Sequence, residues 1–102
     1  MLLDPRWEKK IEIETLEPWR KVLLDAADYI EKNGWCQRAA VFPDGRVCMM
    51  GALSMVKAQT LHAQYAVDKL ERATCGDPVG WNDRKGRTKA EVIAKLREVA
   101  RS

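Results

Sequence analysis

The sequence predicts an α+β domain, mainly α, in which three helices pack on a small β-hairpin, preceded by an N-terminal arm or edge strand. Three observations predict it. Three stretches carry apolar residues at helical spacing, a Pro-Asp-Gly turn separates two short apolar-rich segments, and a brief period-two pattern stands ahead of the first helix. At 102 residues the chain suits one core, with residues 1–15 as the arm and 16–102 as a single globular domain.

In the arm, Pro5 and Trp7 precede an alternation of apolar and acidic residues at Ile11-Glu12-Ile13-Glu14, too short to be stable alone. The first helix is expected from about Leu16 to Lys32. Trp19, Val22, Leu23, Ala26, Ala27 and Ile30 fall on one face, Thr15 is the expected N-cap, Pro18 sits in the first turn, and Asn33-Gly34 is the stop. The hairpin is expected from Trp35 to Phe42 and from Arg46 to Met50, joined by Pro43-Asp44-Gly45.

From Gly51 to about Thr74 there is no proline and no second glycine. Leu53, Val56, Thr60, Ala63, Val67 and Leu70 recur at three- and four-residue steps, which predicts one long amphipathic helix. Gly51 beside Ala52 predicts a close backbone contact against the first helix. Cys75-Gly76-Asp77-Pro78 ends the long helix, and residues 79–87 read as a loop. Thr88-Lys89-Ala90-Glu91 matches a capping box and opens a last helix that buries Val92, Ile93, Leu96, Val99 and Ala100.

Composition excludes several classes of function. The chain is 46% hydrophobic and 32% charged, with no apolar run near the ~20 residues of a membrane span, so no membrane partner is expected. The N-terminus lacks a secretory pattern, and three widely spaced cysteines suit reduced thiols, which together predict a cytoplasmic location. The net charge of +3 is too small to argue for nucleic acid, but its distribution is uneven. Residues 1–17 hold three basic and five acidic side chains, and residues 77–102 hold seven basic and four acidic ones, an asymmetry that suits a dimer or a tail-to-body contact.

Several pieces of the chain, taken in order, resemble a family of short uncharacterised proteins of bacteria and their phages, classed as a domain of unknown function. They are Ala26-Ala27, Ile30 and Gly34-Trp35-Cys36-Gln37; Cys48-Met49-Met50-Gly51-Ala52-Leu53; Trp81-Asn82-Asp83; Gly86-Arg87-Thr88; and Glu91-Val92, Leu96-Arg97 and Ala100. The resemblance covers roughly residues 22–102. It implies a shared fold and a phage or mobile-element background, and it supplies no activity.

Two places carry candidate chemistry. Cys48 precedes a helix start, where unpaired N–H groups favour a thiolate, and His62 with Asn82 or Asp83 would be its base and orienting group. On a continuous helix His62 lies roughly 20 Å from Cys48, which argues for a buried packing cysteine instead. The second place is the stretch Trp81, Asn82, Asp83, Arg84, Lys85, Arg87 and Lys89. Asn82 and Asp83 suit local backbone hydrogen bonds, while the four cations crowd a helix N-terminus, where positive charge is unfavourable unless an anion is bound. Cys36, Cys48, His62 and Cys75 lack the short spacings of a zinc site, and no glycine-rich phosphate loop is present. Neither a metal nor a cofactor is expected.

The sequence thus favours a non-enzymatic interaction module, an accessory protein of a phage or mobile element. Its expected partner is a protein or a second copy, with Trp7 and Trp81 as candidate anchors. Nucleic-acid or phosphate binding through residues 84–89 is the first alternative, and a thiol enzyme at Cys48 is the second.

Overall fold

A computed structural model describes residues 17–102. The arm and edge-strand expectation and the Trp7 anchor lie outside those residues, while the N-cap of the first helix is Glu17 rather than the expected Thr15. Among the described residues the chain forms five α-helices and no β-strand: α1 Pro18–Asn33, α2 Met49–Met55, α3 Thr60–Ala73, α4 Pro78–Asp83 and α5 Lys89–Arg101. The fold is all-helical, and the α+β expectation with its hairpin is overturned.

Helix α1 is the centre of the packing. Its face of Trp19, Val22, Leu23, Ala26, Ala27 and Ile30 is buried as the spacing predicts, and α5, α2 and α3 pack on it. The shared core is closed by Met49, Ala52 and Leu53 of α2, Ala66 and Leu70 of α3, and Val92, Leu96, Val99 and Ala100 of α5. Ile93 is only half-buried at its edge. At the end of α1, Gly34 takes φ +99° and donates its N–H to the Ile30 carbonyl at 2.8 Å. At the other end Arg20 reaches across to α5, donating from Nη1 to the carbonyls of Ala100 and Ser102 at 2.8 Å each. A cation satisfying terminal carbonyls complements the negative end of the α5 dipole.

The hairpin fails for a geometric reason. Its turn does form: the Phe42 N–H donates to the Arg46 carbonyl at 2.8 Å, and Gly45 adopts φ +99°. The flanking segments do not lie side by side, because residues 35–41 wrap around Val47. Trp35 bridges Val47 in parallel on one side and Val41 bridges it antiparallel on the other. Arg38, at φ +68°, turns the chain between the two bridges. The result is a loop of bends pinned by single bonds rather than a ladder.

The long helix expected from Gly51 to Thr74 is likewise divided. Val56 (φ −78°, ψ 130°) and Gln59 (φ −64°, ψ 143°) are extended, and α2 and α3 stand on either side of them. The apolar stripe runs in phase through the break, so local pattern gives no sign of it. Packing supplies the reason. A straight helix over those residues would be about 36 Å long against about 24 Å for α1, and one end would overhang its partner. Breaking lets both pieces lie on α1. Thr60, expected on the buried stripe, is exposed.

A further helix, α4, occupies part of the expected loop at residues 79–87. Asp77 is its N-cap, accepting the Gly80 N–H at 2.9 Å, and Pro78 fills the first turn where no donor is lost. The capping box of α5 is present as expected, with the Glu91 N–H donating to Thr88 Oγ1 at 3.2 Å and the Thr88 N–H to Glu91 Oε1 at 3.2 Å.

Candidate functional site

Of the residues singled out from the sequence, Trp35, Cys36, Met49 and Asp83 bond to Asn82, near the end of α4. Its side chain is completely buried and every polar atom on it is used. Oδ1 accepts the Trp35 indole N–H at 2.7 Å and the Met49 backbone N–H at 3.0 Å. Nδ2 donates to the Cys36 carbonyl at 3.2 Å and to Asp83 Oδ1 at 2.9 Å. One amide thus joins three separate parts of the chain: the loop after α1, the first residue of α2, and α4.

The neighbours extend this junction. Asp83 Oδ1 accepts the Arg38 N–H at 3.0 Å, which holds the residue with the left-handed backbone. Gln37 donates from Nε2 to the carbonyls of Asn82 and Arg84, each at 3.1 Å. Asn82 and Asp83 therefore bond to residues more than thirty positions away, where local turn bonds were expected. These bonds take the place of the missing sheet ladder.

Gly51 closes the same junction. A Cβ built there would lie 1.9 Å from the Ala40 carbonyl oxygen, so only glycine allows the loop backbone to cross the start of α2. The close approach is real, but its partner is Ala40 rather than α1. Cys48 is the N-cap of α2: its sulfur accepts the Gly51 N–H at 3.3 Å, and its own N–H donates to Ala40 O at 3.0 Å.

Cys48 and His62 occupy different surroundings. With the helix broken at residues 56–59, distance along a helix axis no longer separates them. His62 lines a 140 Å³ recess at the break with Pro18, Lys21, Asp25 and Val56, whereas Cys48 is buried beneath Ala40. Of the two expected orienting groups, Asn82 spends its amide on Trp35, Met49 and Cys36, and Asp83 Oδ1 accepts from the Arg38 N–H and Asn82 Nδ2. No group of three or more His, Cys, Asp or Glu side chains among the described residues is arranged to hold a metal ion.

The four cations before and within α5 separate into two kinds. Arg87 turns inward: its guanidinium lies 3.6 Å from the Trp81 ring centroid, Nε donates to the Trp81 carbonyl at 2.9 Å, and Nη1 meets Glu91 Oε2 at 3.1 Å. Lys89 donates to the Glu31 carbonyl at 3.3 Å. Arg84 and Lys85 are exposed and make no ion pair among the described residues. Glu91 itself supplies a carboxylate to the α5 N-terminus. Hydrogen bonds from Thr88, then from Arg87, hold its pKa below the ordinary glutamate value of 4.5. Within the chain Glu91 thus offsets Arg87, while Arg84, Lys85 and Lys89 have no carboxylate partner among the described residues.

One surface was missed at the sequence level. On α3, Leu61 is 77% exposed and Tyr65 49%, with Met55 at the end of α2 exposed at 45%. Tyr65 leans on Trp19 at 5.4 Å between ring centroids, and Lys69 Nζ lies 5.1 Å from the Trp19 ring. Two large apolar residues four positions apart, off the phase of the buried stripe, were the available signal.

A family model described as "Family of unknown function (DUF6197)" matches residues 14–102. No curated protein and no solved structure matches the chain.

Proposed function

We propose that this chain, which belongs to that family of unknown function, acts by binding a protein partner on the exposed face of α3. The observation that carries the reading is the Leu61–Tyr65 pair, apolar area left in water on a helix whose opposite face is already packed. Burying such area is favourable by ~25 cal/mol per Å², and an aromatic with a polar tip is a common anchor at interfaces. The polar groups that looked chemical contribute to this reading indirectly. Asn82, Asp83 and Arg87 are engaged in bonds that hold the domain together, which leaves the surface as the place of work. The phage or mobile-element setting implied by the sequence resemblance belongs to the same proposal.

A second reading rests on Arg84 and Lys85, the two cations of the basic stretch that face outward. They would attract phosphate or a nucleic-acid backbone, with Trp81 near Arg84, and with affinity that falls with added salt.

The test begins with sedimentation of the purified protein across a wide concentration range. A concentration-dependent dimer that Leu61→Asp abolishes identifies the partner as a second copy. If the protein stays monomeric, a photo-crosslinker at position 61 in the native host is expected to give one dominant protein adduct that Tyr65→Asp removes. Adducts insensitive to Tyr65→Asp, alongside salt-sensitive DNA binding lost in Arg84→Ala/Lys85→Ala, would replace the first reading with the second.

A further inference from the structure

We propose that Cys36 and Cys48 form a redox-active dithiol, a modification site at which a low-molecular-weight disulfide converts the pair to an intramolecular disulfide across the 36–48 loop. The inference rests on backbone register and is independent of the partner-binding surface. Trp35 and Val47 form a parallel bridge, made by the Val47 N–H to the Gly34 carbonyl at 3.2 Å and the Cys36 N–H to the Val47 carbonyl at 3.0 Å. Cys36 and Cys48 are the next residue along each of those two segments. In parallel pairing such neighbours project to the same side, with backbones ~4.8 Å apart. Disulfides span Cα separations of ~4.4–6.8 Å, a range that includes this spacing, and closing the bond turns Cys36 Sγ away from the Ala39 carbonyl and Cys48 Sγ away from the Gly51 N–H.

The surroundings agree with the register. Both side chains are buried, and both residues are tied to consecutive carbonyls of one short segment: Cys36 Sγ donates to Ala39 O at 3.3 Å, and the Cys48 N–H donates to Ala40 O at 3.0 Å. Burial pushes the Cys36 thiol up, and the nearby Cys48 pushes it further in the same direction. The resting pair is therefore protonated at Cys36, as its donated bond to Ala39 requires. Cys75, the remaining thiol, is exposed at the far end of α3 and lies outside this arrangement.

The chemistry balances with a small disulfide such as oxidised glutathione as the oxidant. One cysteine, as its thiolate, attacks a glutathione sulfur; the S–S bond of the oxidant breaks and one glutathione thiolate leaves. The second cysteine loses its proton and attacks the protein sulfur of the mixed disulfide, releasing the second glutathione. Two protein thiols give up two electrons and two protons, and one oxidised glutathione becomes two reduced ones. The product loses the Cys36 S–H donor, which frees the Ala39 carbonyl. A covalent link then joins the loop to the residue that caps α2.

The test uses the full chain carrying Cys75→Ser, equilibrated in glutathione buffers of graded ratio, acid-quenched and read by intact mass and peptide mapping. The expected result is a native protein lighter by two hydrogens with a 36–48 link, fully reversed by dithiothreitol. Its equilibrium constant for oxidation should be at least ~10-fold larger than that of the same chain in urea, because a pre-positioned pair has a higher effective concentration. Cys36→Ser/Cys75→Ser should show no such species. A native constant equal to or below the unfolded one, or accumulation of glutathione adducts without the internal link, would overturn the proposal.

Discussion

Replacing Asn82 by leucine is the sharpest perturbation of this fold. The change keeps the number of side-chain heavy atoms, adds some bulk, and removes both the acceptor and the donor at a fully buried position. It strands the Met49 N–H, the Cys36 carbonyl and the Trp35 indole N–H, which have their partner in Asn82. A buried polar group left unpaired costs about 1–3 kcal/mol, and the half-buried Trp35 belongs at the low end of that range, so the three together cost about 3–7 kcal/mol. Leucine returns about 2 kcal/mol through its own burial, leaving a net loss of about 1–5 kcal/mol. Against a stability of ~5–15 kcal/mol that is a large fraction, and each kcal/mol lowers Tm by ~4–8 °C in a domain of this size. Urea unfolding followed by circular dichroism measures it. Should the midpoint and slope be unchanged, so that the loss is below about 0.5 kcal/mol, Asn82 would not be the junction described. A double-mutant cycle with Trp35→Phe isolates the indole bond, and a coupling near 1 kcal/mol is expected.

Other substitutions test separate parts of the same account. Gly51→Ala forces a Cβ against the Ala40 carbonyl and is expected to cost about 3 kcal/mol in urea unfolding; a neutral result would mean that the loop does not cross α2 there. Arg87→Ala removes the stacking on Trp81 and the bond to its carbonyl, for an expected loss of about 1–2 kcal/mol. The same variant should leave any nucleic-acid affinity nearly unchanged, and a binding loss at constant stability would assign Arg87 to a ligand instead. Glu91 has its pKa lowered in the folded state, so its contribution is present above the unfolded value and is lost as pH falls through the lowered folded one. Glu91→Gln is therefore expected to be less stable than the parent at neutral pH and to approach it as pH falls through the lowered folded pKa. A pH-independent difference would argue against the capping-box carboxylate as the cause.

What was legible in the sequence is what depends on local chemistry. The buried face of α1, the Gly34 stop, the Pro43-Asp44-Gly45 turn and the Thr88–Glu91 box each follow from residues within a few positions of one another. What was not legible depends on partners far along the chain. Asparagine followed by aspartate reads as a turn because both side chains bond readily to nearby backbone, yet here Asn82 bonds to Trp35 and Met49, and Asp83 to Arg38. Those same bonds convert an expected hairpin into a pinned loop. The break at Val56–Gln59 carries no glycine or proline, and only the length of α1 explains why a continuous stripe is folded in two. Asp77-Pro78 was readable as a helix start as well as a stop, since aspartate caps and proline fits the first turn.

The candidate site divided in the same way. Trp35, Cys36, Gln37, Cys48, Met49, Gly51, Asn82 and Asp83, which carry part of the sequence resemblance, lie around one junction. Their meeting is a joint in the fold, held by one amide, while Leu61 and Tyr65 stand apart from it on the surface.

Native-state hydrogen exchange at the Met49 amide tests that joint most directly. Its N–H lies at the start of α2, where no intrahelical acceptor exists, and Asn82 Oδ1 is its partner. Protection matching the slowest amides of α1, lost in Asn82→Ala by a larger factor than the fall those α1 amides show, is the expected result. Exchange at the rate of an open loop in the parent protein would contradict it.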